Sequence, residues 1–367
     1  VFIREFPRHQ CSIKPKIEVK KILIIRLSSL GDILLSTPLI RLLRQKYPQV
    51  QLDFLVRKEY SELLQYHPGI SRLIEFDVRG KYAALSDMRK KIRLTRYDVI
   101  LDIHKNLRSR YLCLGLPLLS FFRTRVYRLR KNQFIRFLLV KFKINLYRKL
   151  YGRVIPVWEK YLRTACSLGI VPDSGKLEIY LPEETAKAVQ KFLSVLKGNN
   201  WNIVIAPGAR HFSKCWPKEY FAELIQQFFA KAGWRTVLVG GAEDVPVIEK
   251  ILRQLPEGMA VSAAGKLTLL ETTALIKQSR LMISNDSGLM HLGAAMDVPL
   301  IAIFGSTVEE LGFFPNSPKA VVMENRGLYC RPCSHIGRSD CPEKHFRCMR
   351  EITAENILTI VLKSGWN

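Results

Sequence analysis

The run richest in chemistry is Ile283-Ser-Asn-Asp286-Ser287-Gly288-Leu-Met-His291-Leu-Gly-Ala-Ala. An apolar stretch ends there in Asn-Asp-Ser-Gly and gives way to a Gly/Ala-rich helix, whose free N–H groups and positive dipole end suit an anion. Taken alone, Asp286 or Ser287 serves equally well as an ordinary N-cap for those amides. A second run, Ala206-Pro-Gly208-Ala-Arg-His-Phe-Ser-Lys214-Cys-Trp216-Pro217, sets a glycine loop and a lysine just ahead of a Pro-initiated helix. A lysine so placed can reach a pyrophosphate and neutralise the charge on a departing nucleotide; a solvated surface lysine is the plain alternative. Val239-Gly240-Gly241-Ala242-Glu243 adds two glycines and a carboxylate able to accept hydrogen bonds from ribose hydroxyls, a weak pattern by spacing alone. Late in the chain, Cys330-x2-Cys333-x7-Cys341-x6-Cys348, with His335 and His345 among them, is dense enough for a structural zinc, although only the Cys-x2-Cys half has strong metal spacing. A packed thiol-rich loop or an opportunistic disulfide fits the same residues.

These residues need strand ends and helix starts to hold them. Lys21–Arg26 reads as a strand, Ser28-Ser29-Leu30-Gly31 as a tight turn, and Asp32 towards Lys46 as a helix. Further strands are expected at Gln51–Val56, Arg72–Asp77 and Tyr97–Ile103, the alternation of a parallel sheet covered by helices. After the Leu177–Pro182 connection the alternation restarts. Strands are expected at Asn202–Ala206, Thr236–Gly240, Leu281–Asn285 and Leu300–Phe304, with helices at Pro217–Ala232, from Val245, at Leu269–Gln278 and from Gly288. The expected domains are an extension (1–20), a first Rossmann-like domain carrying a basic segment (21–175), a second (176–350) and a closing helix (351–367). Two such sheets facing across a cleft would put strand C-termini and helix N-termini at the crevice where open α/β folds bind ligands.

Composition narrows the classes. At 367 residues two domains are the prior, and 48% apolar with 25% charged residues is typical of a globular protein. The first twenty residues hold no apolar core of signal-peptide length, so export is not expected. The long uncharged stretch Tyr111–Phe122 is too short to span a bilayer. Eight cysteines in a chain of this length argue for free thiols or a metal rather than a disulfide scaffold. The net charge is +26, and fourteen Lys or Arg with no carboxylate lie between Asp102 and Glu159. Such a field attracts nucleic acid, an anionic membrane surface or an anionic substrate.

Taken in order, five motifs make the chain resemble the ADP-heptose:lipopolysaccharide heptosyltransferases, bacterial enzymes that build the lipopolysaccharide inner core. They are Ser28-Ser-Leu-Gly-Asp32, Asp102-Ile-His-Lys-Asn-Leu-Arg108-Ser, Lys214-Cys-Trp-Pro, Gly240-Gly-Ala-Glu243 and Asn285-Asp-Ser-Gly-Leu-Met-His291. The resemblance covers Lys21 to Lys363. It implies an α/β chain with two Rossmann-like domains facing across a cleft (the GT-B glycosyltransferase fold), the donor in the C-terminal domain, the acceptor in the N-terminal one, and inversion at the anomeric carbon. It further implies that the Ala209–Arg210 loop and Lys214 meet the donor phosphates, that Glu243 holds the ribose and Leu267 lies near the adenine. Asp286, Ser287, Gly288 and His291 would surround the pyrophosphate and sugar; Ser287 replaces the threonine of many members and keeps the hydroxyl. Asp32 matches the family's general base, and a carboxylate at that helix start, facing the crevice, is placed to take a proton from an acceptor hydroxyl; simple helix capping is the alternative. No Asp-x-Asp metal motif occurs, so no cofactor is expected beyond the possible zinc.

The resemblance also gives the basic stretch a partner, an acceptor carrying acidic Kdo sugars and phosphates. His104, Lys105, Arg108 and the Arg123–Lys131 cluster, with Arg128, Arg130 and Lys131, would hold it. Phe and Leu interleaved with Arg136, Lys141 and Lys143 between Phe134 and Tyr151 fit a helix lying on a membrane surface, although a basic face over an ordinary core helix has the same pattern. The expected setting is the cytoplasm, at the inner face of the inner membrane. A nucleotide-sugar enzyme of the same fold using another donor is the alternative. A dinucleotide oxidoreductase lacks its G-x-G-x-x-G, and a nucleic-acid binder would leave the donor motifs idle, so no nucleic-acid partner is expected.

Overall fold

The computed structural model describes residues 18–116, 124–199 and 201–366, so the first seventeen residues, most of Tyr111–Phe122 beyond Leu116, and Arg123 lie outside the description. Contacts divide the chain into two units, one up to Asn132 together with Ile155–Tyr180, the other Gln133–Val154 together with Leu181 onward.

The first unit holds a five-stranded sheet in the order β3-β2-β1-β4-β5. Its strands are β1 (Lys21–Ile25), β2 (Gln51–Arg57), β3 (Arg72–Phe76), β4 (Val99–Asp102) and β5 (Arg125–Arg128), and every pairing is parallel. β1 is nearly all Ile and Leu, with Ile22 to Ile25 fully buried, as a central parallel strand covered on both faces requires. The single helix expected from Asp32 to Lys46 is two, Leu30–Leu34 and Thr37–Lys46. Pro38 lies in the first turn of the second helix and has no N–H to give back to Leu34, whose carbonyl accepts from the Thr37 hydroxyl at 2.8 Å instead. That break confines Asp32 to a one-turn helix.

The second unit holds six parallel strands in the order β11-β10-β9-β6-β7-β8. They are β6 (Trp201–Ala206), β7 (Arg235–Leu238), β8 (Ala260–Ser262), β9 (Leu281–Asn285), β10 (Leu300–Phe304) and β11 (Ala320–Glu324). Traced from β8, this is the doubly wound dinucleotide-fold order, and the first sheet follows the same order with one strand fewer. Helix Lys218–Ala232 turns Phe221, Leu224, Ile225 and Phe228 inward at helical spacing, and the closing helix Ala354–Lys363 adds Ile357, Leu358 and Val361 to the same core.

Three edge-proximal strands, β5, β8 and β11, were absent from the sequence reading; each is three to five residues long and incompletely buried. The contact units also differ from the expected boundaries. Gln133–Val154 belongs with the second unit because Leu139 and Tyr147 pack with Leu311, and Arg148 pairs with Glu309 at 2.9 Å.

Candidate active site

In the first unit the strand order reverses between β1 and β4, and Ile25 pairs in register with Asp102 there. Ligands of open α/β sheets bind at this reversal, beyond the strand C-termini. Asp32 follows β1. It sits in the first turn of helix Leu30–Leu34, where Arg26 Nη2 lies 2.5 Å from Oδ2, the Ser29 hydroxyl donates to Oδ2 at 3.1 Å, and the Tyr161 hydroxyl donates to Oδ1 at 2.8 Å. Burial alone would raise its pKa, but the Arg26 charge and the Tyr161 hydrogen bond outweigh it and hold the carboxyl below the ordinary aspartate range. Asp32 is thus an ionised carboxylate, paired with the buried Arg26.

The expected acceptor residues gather after β4 and β5. The Asp102 carboxylate accepts from the backbone N–H groups of His104 at 3.2 Å and Lys105 at 2.8 Å, and Arg128 Nε stands 3.6 Å from its other oxygen. His104 Nε2 meets Asn106 Nδ2 at 2.6 Å, and burial, with the Arg26 and Lys131 charges nearby, pushes its pKa down to about 3, so the ring is neutral. Lys131 donates to the carbonyls of His104 and Lys105 at 2.8 and 3.1 Å, bracing that loop from below β5. Arg108, Arg128 and Arg130 are exposed. The same loop region thus contains braced cations and open ones.

In the second unit the reversal falls between β6 and β9, where Ala206 pairs with Ser284. Asn285, at the end of β9, ties the two loops together: Nδ2 donates to the Pro207 carbonyl at 2.7 Å and Oδ1 accepts from Trp216 N–H at 3.1 Å. Lys214 Nζ reaches Asp286 Oδ2 at 2.7 Å, and the Thr307 hydroxyl donates to that oxygen at 2.5 Å. Ser287 holds the N-cap position of helix Gly288–Ala295, yet its hydroxyl accepts none of the helix amides and lies 3.3 Å from that of Ser284. Ser287 therefore does not cap this helix through its side chain, and the helix start opens at the strand reversal. His291 is buried one turn further in, Ala209 is half-buried and Arg210 exposed. Glu243 is exposed after β7, the strand beside β6, and Leu267 half-buried after β8, one strand further out. Gly208 permits a close approach: a Cβ there would stand 2.0 Å from Asp244 Oδ1. Asp244 in turn accepts from the Gly241 N–H at 3.0 Å.

Of the readings open for the cysteine cluster, the possible zinc finds no support among the described residues. Cys330, Cys333, Cys341 and Cys348 line one small cavity with His345, but among the described residues no group of three or more His, Cys, Asp or Glu is arranged to hold a metal ion. Cys330 Sγ lies 3.8 Å from His345 Nε2, and Cys341 Sγ accepts from the Phe346 N–H at 3.4 Å, the contacts of a packed thiol-rich loop. Burial raises the Cys330 and Cys333 thiols and pushes Cys348 up to about 12. Among the described cysteines only Cys166 is in a disulfide. The loop's structural role is visible beside it: the Arg331 guanidinium donates to the carbonyls of Gly305 at 2.5 Å and Thr307 at 2.8 Å and pairs with Glu324 at 2.8 Å. Ser213 accepts the Arg338 N–H at 2.8 Å, so the segment backs the Lys214 loop.

With this geometry in place, the decisive observation is a match of residues 85–344 to glycosyltransferase family 9 (heptosyltransferase). The chain belongs to that family. This family 9 glycosyltransferase is 29% identical over 305 residues to lipooligosaccharide heptosyltransferase 2 of Haemophilus influenzae, covering 78% of this chain and 83% of the relative. Its fold is similar to that of a family 9 glycosyl transferase from Veillonella parvula, with a TM-score of 0.77 at 24% identity over 95% of this chain and 98% of that one. It is also similar to the Escherichia coli ADP-heptose LPS heptosyltransferase II, with a TM-score of 0.67 at 22% identity over 94% and 99%. The fold is thus the GT-B arrangement of two parallel-sheet α/β domains.

The sequence reading did not find Arg26, Tyr161, Thr307, Asp244 or Arg331. Arg26 left a faint signal, a lone cation closing an apolar strand; Tyr161 left none, being 129 residues from its partner.

Proposed function

We propose that this glycosyltransferase moves a heptose from ADP-heptose to the Kdo/heptose inner core of lipopolysaccharide, with inversion. The observation that carries the reading is the Lys214–Asp286 pair beside an uncapped helix start at the strand reversal of the second sheet. This is a cation and a row of amides where a pyrophosphate would sit. The E. coli relative's name, with ADP-heptose and LPS in it, favours this donor and acceptor class over another nucleotide sugar. In the transfer, Asp32 takes the proton of the acceptor hydroxyl as that oxygen bonds to the anomeric carbon. The bond from that carbon to the pyrophosphate oxygen breaks, its electron pair leaves with ADP, and Lys214 and the helix start meet the charge. Ala209 and Arg210 flank the phosphates, Glu243 binds the ribose, Leu267 the adenine, and Ser287, Gly288 and His291 the pyrophosphate and sugar. His104, Lys105, Arg108, Arg128 and Arg130 face the anionic acceptor, with Lys131 shaping their loop.

An anionic membrane surface at the inner face of the inner membrane completes the proposed setting. Its support is helix Gln133–Phe142, which buries only Leu139 while Phe134 is 71% and Phe142 62% exposed, with Lys141 and Lys143 exposed beside them. No helix among the described residues is long and apolar enough to cross a membrane.

Nucleotide-dependent melting tests the donor assignment. ADP at a hundredfold excess over its dissociation constant should add about 2.7 kcal/mol of stability, with UDP and GDP well below it. Equal or greater stabilisation by UDP would overturn the ADP-sugar reading and favour another donor of the same fold.

A further inference from the structure

Asp32 is held from two sides. Its Oδ2 belongs to Arg26 and Ser29, and Arg26 is itself fixed, donating through Nη1 to the Ile103 carbonyl at 2.9 Å. Its Oδ1 accepts from Tyr161, which arrives on helix Val157–Thr164 after the chain has returned to the first unit. Tyr161 is 1% exposed, and the Arg26 guanidinium lies 5.4 Å from its ring centre. A phenylalanine would fill that volume, and a buried hydroxyl is retained where it has a partner. Here the partner is the carboxylate.

A base anchored through Oδ2 alone can still rock its Oδ1 by small coupled turns about the Cα–Cβ and Cβ–Cγ bonds. A carboxylate oxygen accepts two hydrogen bonds, so Oδ1 can hold the phenol with one lone pair and keep the other for an acceptor hydroxyl. We propose that Tyr161 is a positioning residue for the transfer: its hydroxyl pins Asp32 Oδ1 so that the carboxylate keeps one orientation when the acceptor proton arrives. The proposal rests on the reading of Asp32 as the base. The groups facing Asp32 are Arg26, Tyr161 and Ser29, with His104 further off and neutral. The Tyr161 hydrogen bond is one of the contacts that hold Asp32 ionised against its burial, so its loss moves the titration of Asp32 to higher pH.

Tyr161→Phe, assayed with ADP-heptose and a Kdo-bearing lipid acceptor, should lower kcat by about 10- to 100-fold, the scale of a misplaced reacting group. The KM for ADP-heptose should hold, and the acid limb of the kcat–pH profile should shift upward. Replacing Tyr161 by 3-fluorotyrosine keeps the shape and strengthens the donor, so the same limb should shift downward; this variant serves even where Phe destabilises the fold. A limb unmoved in both proteins, with kcat within about twofold of wild type, would show a packing tyrosine only. Asp32→Asn runs in parallel: an active Asp32→Asn enzyme removes the base itself. An inactive one beside a wild-type-like Tyr161→Phe removes the positioning role alone.

Discussion

Lys214 and Asp286 were both expected around a pyrophosphate, yet they bind each other at 2.7 Å. If the proposed pyrophosphate sits there, a carboxylate beside it would repel it, so Asp286 would assist best by aiming the lysine, with Thr307 aiming Asp286 in turn. Lys214→Ala should then cost on the order of 3 kcal/mol in transition-state stabilisation. Asp286→Ala should cost less, and the two losses should be far from additive, with a coupling of about 0.5–3 kcal/mol as expected of contacting residues. Calorimetric ADP titrations and turnover of the two single variants and the double variant measure this; additive losses would mean that the carboxylate meets the ligand independently. Both residues were legible because each lies in a short loop closing an apolar strand. Arg26, Tyr161 and Thr307 were not, since partners brought together only by tertiary folding leave no spacing in the sequence. The basic stretch was legible as charge but not as geometry, and Lys131, which braces two carbonyls, looks from sequence like its exposed neighbours Arg128 and Arg130.

At the level of elements, the inner strands β1 and β10 announce themselves because both faces are covered and nearly every residue is apolar. β5, Arg-Val-Tyr-Arg, carries charge at both ends and packs incompletely, so hydrophobic pattern alone passes over it. Helix Gln133–Phe142 is the opposite case, more apolar than its burial requires. Phe134, Phe137 and Lys141 share a face at helical spacing, all exposed, and the Phe137 and Phe142 rings meet at 5.8 Å. Moving such rings into a lipid interface is worth roughly 1.5–3 kcal/mol each. Phe134→Glu with Phe137→Glu should therefore reduce co-flotation with vesicles rich in anionic lipid by at least about tenfold, leaving ADP-induced melting shifts intact. Wild-type binding equal on zwitterionic and anionic vesicles would remove the basic residues from the interaction, and no flotation at all would remove the membrane partner.

Across the whole molecule, the first unit keeps hold of its departing segment through ionisable groups. Arg41 pairs with Asp173 at 2.6 Å and Glu178 at 2.9 Å, and His67 packs edge-on against Tyr180 at 5.1 Å. Burial, with the Arg41 charge, pushes the His67 pKa down to about 4, so the ring is neutral near neutrality and its 3.6 Å approach to Glu178 is not an ion pair there. The folded pKa lies below the unfolded value of about 6.5, so the unfolded chain binds the proton first. His67's contribution to stability is complete above that pH and is lost as pH falls towards 4. Melting temperatures between pH 7 and 4 should fall more steeply in wild type than in His67→Gln; parallel curves would show a histidine that titrates alike in the folded and unfolded chain. Glu178, raised by burial, titrates in both proteins and drops out of the difference.

The sequence reading placed one cut near residue 175, because alternation of strands and helices marks where a sheet begins and not which sheet a helix will join. The chain instead changes unit after Asn132, Val154 and Tyr180. This has a consequence for synthesis on the ribosome. Residues 133–154 emerge early, but their packing partners Leu311, Val308 and Phe313, and the Pro332 carbonyl that accepts from Lys143 at 2.7 Å, are translated more than 150 residues later. At about 5–20 residues per second, this phenylalanine-rich and basic segment waits on the order of ten seconds or more with its apolar side unpartnered. The growing chain thus carries a sticky, cationic segment while more than 150 further residues are made, during which a chaperone can hold it before the second core exists to receive it.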